Sequence, residues 1–193
     1  MQPYTIEQWR SQHDSQAFSS GMLSIDRYIK EQAHRDMTSH ASLVFVLIES
    51  GQNIIRGYYT LSSLGIVFSD LPEKVQKRLP RYPQIAATLL GRLGIDRNYA
   101  KKLQVQTGAK PRLGELLLVD AQTKTLQGAL STSGTALLVI DAELPSVAEK
   151  LLGVRDPLGF YSQYGFLPFP GNARRLYKLT RVIEKEFKLA GMI

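Results

Sequence analysis

One stretch, Gln84 to Ala121, constrains this chain more than any other. It opens with an apolar run from Ile85 to Ile95 that carries Thr88 and is punctuated by Gly91 and Gly94, the pattern of a buried strand. A basic connector from Arg97 to Gly114 follows, with Lys101, Lys102, Lys110 and Arg112 and two glycines. Beyond Gly114 the apolar positions Leu116, Leu117, Ala121, Leu126 and Leu130 recur at helical spacing. Strand, basic glycine loop and helix together are how a chain presents unpaired backbone N–H groups to an anion, although an ordinary strand-to-helix connection with a solvated basic tip gives the same pattern and is the reading composition alone favours. The first turn of a helix has free donors, and its dipole adds about half a positive charge.

Two phosphate motifs are excluded. The second glycine of the Gly108–Gly114 segment is followed by Glu115, where a P-loop needs Lys and then Ser or Thr. No G-x-G-x-x-G follows a predicted strand, so a dinucleotide fold is not expected.

The remaining elements alternate around this centre. Tyr4–Trp9 reads as a strand, and Met22, Ile25, Ile29 and Ala33 lie on one face of a helix after Gly21. Strands are expected over Ser42–Glu49 and Ile54–Phe68, joined by a turn at Ser50–Asn53. Asp70-Leu-Pro-Glu73 has the form of a capping box opening a helix to Leu79. Thr135–Ala142 is a buried strand, Pro145–Leu152 and Pro157–Tyr164 a broken helical stretch, and Phe166–Phe169 and Arg174–Arg181 closing strands. This order predicts an α/β chain with a mixed sheet: one domain over residues 1–183 and a tail, 184–193, that is helical or frayed.

Composition narrows the chemistry. The absence of cysteine removes disulfides and thiolate nucleophiles. His13, His34 and His40 are scattered without ligand spacing, so no metal site is expected. No apolar run approaches the ~20 residues of a membrane span, and the N-terminus lacks a signal-peptide core, which points to no membrane and a cytoplasmic protein. The net charge of +7 is the footprint of a nucleic-acid binder, although basic solubility alone also produces it.

The most specific motif is Phe160-Tyr-Ser-Gln-Tyr-Gly-Phe166. Phe160 and Tyr164, four apart, are expected to pack into the core, with Tyr161 turned about 100° toward a cleft. With LLGRLGID and GELLLVDA it resembles the GNAT N-acetyltransferase superfamily. The segments FSSGMLSIDRYIKEQAHRD, GYYTLSS and RRLYKL extend the likeness to the tRNA-acetylating toxins of bacterial toxin–antitoxin pairs. The loop matches the family's [Q/R]-x-x-G-x-[G/A] pattern only at Gly114, within Ala109-Lys-Pro-Arg-Leu-Gly114, and the connector is longer than is usual.

The resemblance implies a GNAT acyltransferase fold: a central mixed, mostly antiparallel sheet, splayed at the cofactor cleft and flanked by helices. It implies acetyl-CoA as acetyl donor, held by backbone near Leu93 and Ile95 and by Leu113, Gly114 and Glu115 with Lys110 and Arg112. Tyr161 is then the general acid, and Lys30, Arg35, Arg92, Arg174 and Arg175 form an RNA surface. Implied partners are aminoacyl-tRNA, acetylated on its α-amine to block translation, a ribbon-helix-helix antitoxin and a second copy in a homodimer. Two alternatives stand beside this reading: a GNAT enzyme for a protein or small-molecule amine, and a non-catalytic relic that binds RNA or antitoxin.

Overall fold

Seven strands and eight α-helices make up most of the computed structural model, which describes residues 4–193. The strands are β1 (Tyr4–Gln8), β2 (Leu43–Glu49), β3 (Ile55–Val67), β4 (Gln84–Ile95), β5 (Leu137–Asp141), β6 (Leu167–Phe169) and β7 (Asn172–Leu179). They form one sheet in the order β1-β2-β3-β4-β5-β7-β6. The β1–β2, β2–β3, β5–β7 and β6–β7 ladders are antiparallel, and β4–β5 is parallel. This is the mixed sheet that the order of apolar segments implied, with the mostly antiparallel pairing that the family resemblance implied.

The helices are α1 (Leu23–Arg27), α2 (Ala33–Thr38), α3 (Glu73–Gln76), α4 (Arg97–Thr107), α5 (Leu113–Ser131), α6 (Val147–Leu151), α7 (Leu158–Gln163) and α8 (Thr180–Leu189). The chain divides into two compact units. One holds residues up to 62, 91–121 and 145–154; the other holds 63–90, 122–144 and 155–193.

In the first unit, a wide π-type turn (Tyr28–Gln32) joins α1 to α2. The Ala33 N–H closes this turn on the Tyr28 carbonyl, stacking Tyr28 over Ala33 on the buried face. Ile25, Ile29 and Ala33 are buried as their spacing predicts, with Met22 partly covered. They pack with Phe18, Val44, Val46, Ile55 and Tyr58 in one core. The Tyr58 hydroxyl donates to the Ile25 carbonyl at 2.7 Å, a bond worth about 1 kcal/mol net. Gly94 makes that packing possible, because a Cβ there would lie 2.5 Å from Ile25 Cγ2. On α6, Ser146 and Glu149 form a capping box, and Glu149 also accepts from the Leu23 N–H at 2.8 Å.

Two expectations change here. The connector after β4 is mostly the helix α4. Asp96 accepts from the N–H groups of Asn98 and Tyr99, and Gly108, at φ 69°, ends the helix in the left-handed region. Caps rather than an apolar face set this helix, since none of its residues is buried. On α5 the covered face is Leu113, Leu117, Leu118 and Ala121, whereas Leu116 and Leu130 are exposed.

In the second unit, β5 lies between β4 and β7, and Ile85, Ala87, Leu137, Val139, Tyr177 and Leu179 form its core. The Asp70–Glu73 capping box does not form. Leu71 is drawn into the core, Pro72 takes the N-cap position with no side-chain cap, and α3 starts at Glu73. The closing strand ends at Leu179, and Thr180 begins α8, which buries Ile183 and Phe187.

Candidate active site

Tyr161 lies in the second unit on α7, which Gly165 ends at φ +77°. Its ring is 5% exposed and edge-to-face with both Phe160 and Phe166, at 5.2 and 6.0 Å between centroids. Phe160 and Tyr164 are only half-buried, the reverse of the packing expected from their spacing. The short helix is rotated so that Tyr161, not its neighbours, seals the interior. Its hydroxyl has no hydrogen-bond partner among the described residues, and it is not one of the fully enclosed unpaired polar atoms, so the oxygen reaches the surface. Burial also pushes this phenol above its ordinary pKa, so it is protonated at neutral pH.

What holds α7 in place was not read from the sequence. Lys178 on β7 is buried; its Nζ donates to the Tyr164 carbonyl at 2.7 Å and to Glu186 Oε2 at 2.6 Å. The same ammonium lies 5.7 Å from the centre of the Phe166 ring. A cation at a helix C-terminus satisfies free carbonyls and complements the dipole. A single lysine in an alternating strand gives no sign of that role.

The β4–β5 parallel ladder covers Ala87–Leu90 against Leu137–Ile140, and β4 runs on to Ile95. Leu93 and Ile95 are therefore on the portion of β4 beyond this ladder, and both are half-buried. In the first unit, Leu113, Gly114 and Glu115 form the opening turn of α5, so their N–H groups have no acceptor within the helix. Arg112 pairs with Glu115, so its guanidinium neutralises a carboxylate in the first turn of α5 rather than standing free. Lys110 is exposed and makes no ion pair among the described residues. These residues suit a pyrophosphate through backbone donors, with charge from Lys110.

The five residues expected at the RNA surface differ in their surroundings. Lys30 and Arg35 are exposed on the first helical stretch. Arg92 is half-buried, its guanidinium stacked 4.0 Å over the Tyr28 ring. Arg174 is held by Asp156 at 2.8 and 3.0 Å, and Arg175 by Asp141 at 2.7 Å through two nitrogens. Those two charges are thus compensated within the chain.

Among the described residues no group of His, Asp and Glu could hold a metal, and no helix is long and apolar enough to cross a membrane. His13 is buried: its Nδ1 accepts from the Arg10 N–H and its Nε2 faces Glu7.

A mixed sheet whose fourth strand outruns its parallel partner, with open first-turn donors at the start of α5, matches the fold of the GNAT acyltransferases. No family model matches the chain. A tRNA-acetylating toxin of Mycobacterium tuberculosis is 31% identical over 126 residues, covering 65% of this chain and 68% of the relative. A probable toxin TacT of Sinorhizobium fredii is 26% identical over 167 residues, covering 86% and 85%. The structure of AtaT complexed with acetyl-methionyl-tRNAfMet superposes with a TM-score of 0.73 at 26% identity, over 95% of this chain and 99% of that one. The chain belongs to the family of tRNA-acetylating GNAT toxins.

Proposed function

We propose that this protein transfers an acetyl group from acetyl-CoA to the α-amine of aminoacyl-tRNA and so blocks translation, as the toxin of a toxin–antitoxin pair. Membership of the tRNA-acetylating family supports the reaction and its substrate. The buried Tyr161, with its hydroxyl unpartnered, is the observation within this chain that supports acid catalysis at the leaving group.

Bound acetyl-CoA supplies the acetyl group as a thioester. The backbone of Leu93 and Ile95 pairs with the pantetheine arm as a missing strand would. The amides of Leu113, Gly114 and Glu115 take the pyrophosphate, with charge from Lys110. Tyr161 Oη gives its proton to the departing sulfur as the C–S bond breaks and the N–C bond forms. The proton lost by the amine goes to solvent, and the tyrosinate is reprotonated from there.

The acceptor suits a site without a strong base. A free α-amine has a pKa of about 8, whereas a lysine side chain lies near 10.4. A ribbon-helix-helix antitoxin silences the toxin, the enzyme works in the cytoplasm, and two copies form the dimer that the family likeness implies.

The test is transfer from acetyl-labelled acetyl-CoA to total charged tRNA. The label should enter the RNA fraction and leave it under mild base as N-acetylated amino acid, while uncharged tRNA stays blank. Equal labelling of free amino acids or peptides, or none of any substrate, would refute the reading.

A further inference from the structure

The helix between β4 and α5 presents an exposed surface separate from the residues assigned to acetyl-CoA. α4 buries none of its residues, and Val105 on it is 85% exposed. Helices shorter than ~12–15 residues are marginal in water on their own. α4 is nevertheless closed at both ends, by Asp96 and by Gly108.

From Arg97 to Gly114 there is no acidic residue, against five basic ones: Arg97, Lys101, Lys102, Lys110 and Arg112. Arg97 donates to the carbonyls of Leu152 and Gly153, and Arg112 pairs with Glu115. Lys101 and Lys102 are exposed and make no ion pair among the described residues. They differ in this from Arg174 and Arg175, whose charge Asp156 and Asp141 already compensate.

We propose that α4 is a phosphate-binding arm for the tRNA substrate, with Lys101 and Lys102 resting on the RNA backbone. This rests on the reading of the substrate given above. Uncompensated ammonium groups on an acid-free helix are what a polyanion selects, because each phosphate contact releases condensed counterions. A protein interface would ask for an apolar or aromatic centre, and α4 offers chiefly Val105. α4 begins just after Ile95 and leads through a short loop to Leu113. Phosphates gripped along its length, about 16 Å, therefore stay on the connection between two segments assigned to acetyl-CoA.

The experiment compares the wild-type protein with the double variant Lys101→Gln/Lys102→Gln. Binding of uncharged tRNA is measured across a salt series, with KM for charged tRNA and for acetyl-CoA. Loss of two phosphate contacts should lower the salt slope by about 1.4–1.8. The Kd for tRNA should rise about tenfold near physiological salt. KM for charged tRNA should rise with it, while KM for acetyl-CoA and the melting temperature hold. A folded double variant with unchanged tRNA affinity and salt slope overturns the proposal. A wild-type protein that leaves charged tRNA unacetylated overturns the substrate reading instead, and the binding series still decides the role of α4.

Discussion

Lys178 and Tyr164 are joined by a 2.7 Å hydrogen bond from the buried ammonium to the carbonyl that ends α7, three residues after Tyr161. The bond ties the C-terminal end of α7, which Gly165 closes, to β7, close to the ring that Phe166 and Phe160 flank.

Replacing Lys178 by methionine keeps the buried stem and removes the donor. The Tyr164 carbonyl and Glu186 then lose a charge-assisted partner. Hydrogen bonds to charged groups contribute about 1.5–3 kcal/mol, and Glu186 is half-exposed and regains water, so the loss should lie near the lower figure. Urea denaturation should show that loss. Turnover should fall more than acetyl-CoA affinity, because the displaced group is the one that carries Tyr161. Unchanged stability and turnover would mean that α7 is held without this bond.

Arg112 and Glu115 give a test with two signs. Glu115 puts a carboxylate in the first turn of α5, and Arg112 neutralises it. Charges at a helix N-terminus are worth about 0.3–1 kcal/mol, roughly two- to fivefold in affinity. Glu115→Gln should therefore tighten acetyl-CoA, and Arg112→Gln should weaken it, each by that factor. Calorimetry reads both. If neither variant moves the affinity, the pyrophosphate is bound away from this turn.

The pH profile follows from the raised pKa of Tyr161. In the proposed mechanism its acid form is the active one, and burial keeps it protonated beyond the ordinary value near 10. The acceptor amine must be free, which requires pH above about 8. Initial kcat/KM on freshly charged tRNA should rise to about pH 8 and then stay level through pH 10. A descending limb centred below pH 10, absent in Tyr161→Phe, would show that the phenol is not shielded as described.

Much of the fold was legible because burial writes itself as periodicity. The strands β2 and β5 are runs of Val, Ile and Leu with few polar interruptions, β3 and β4 are β-branched, aromatic and Leu-rich segments spaced by glycines, and Ile25, Ile29 and Ala33 mark a covered helical face. α4 was not legible, because RNYAKKLQVQT has no apolar stripe and depends on its caps. The Asp70–Glu73 pattern misled for the opposite reason: covering Leu71 outweighed a local cap. At the site, the motif from Phe160 to Phe166 singled out Tyr161 but not which of its rings is buried. On a six-residue helix closed by Gly165, tertiary packing sets the rotation rather than spacing within the helix. The engagement of Arg174, Arg175 and Lys178 depends on partners 8 to 34 positions away, which no local pattern encodes.

Acid catalysis by Tyr161 is tested most directly by Tyr161→Phe, assayed for acetyl transfer to charged tRNA. The hydroxyl has no partner among the described residues, so its removal should leave the melting temperature and acetyl-CoA affinity unchanged. Positioned proton transfer typically contributes 10²–10⁴-fold, and turnover should fall by about that factor. Tyr164→Phe, which keeps the carbonyl that Lys178 uses, should retain near-full activity. Full turnover in Tyr161→Phe, or loss of activity only through unfolding, would contradict the account and return Tyr161 to a purely structural role.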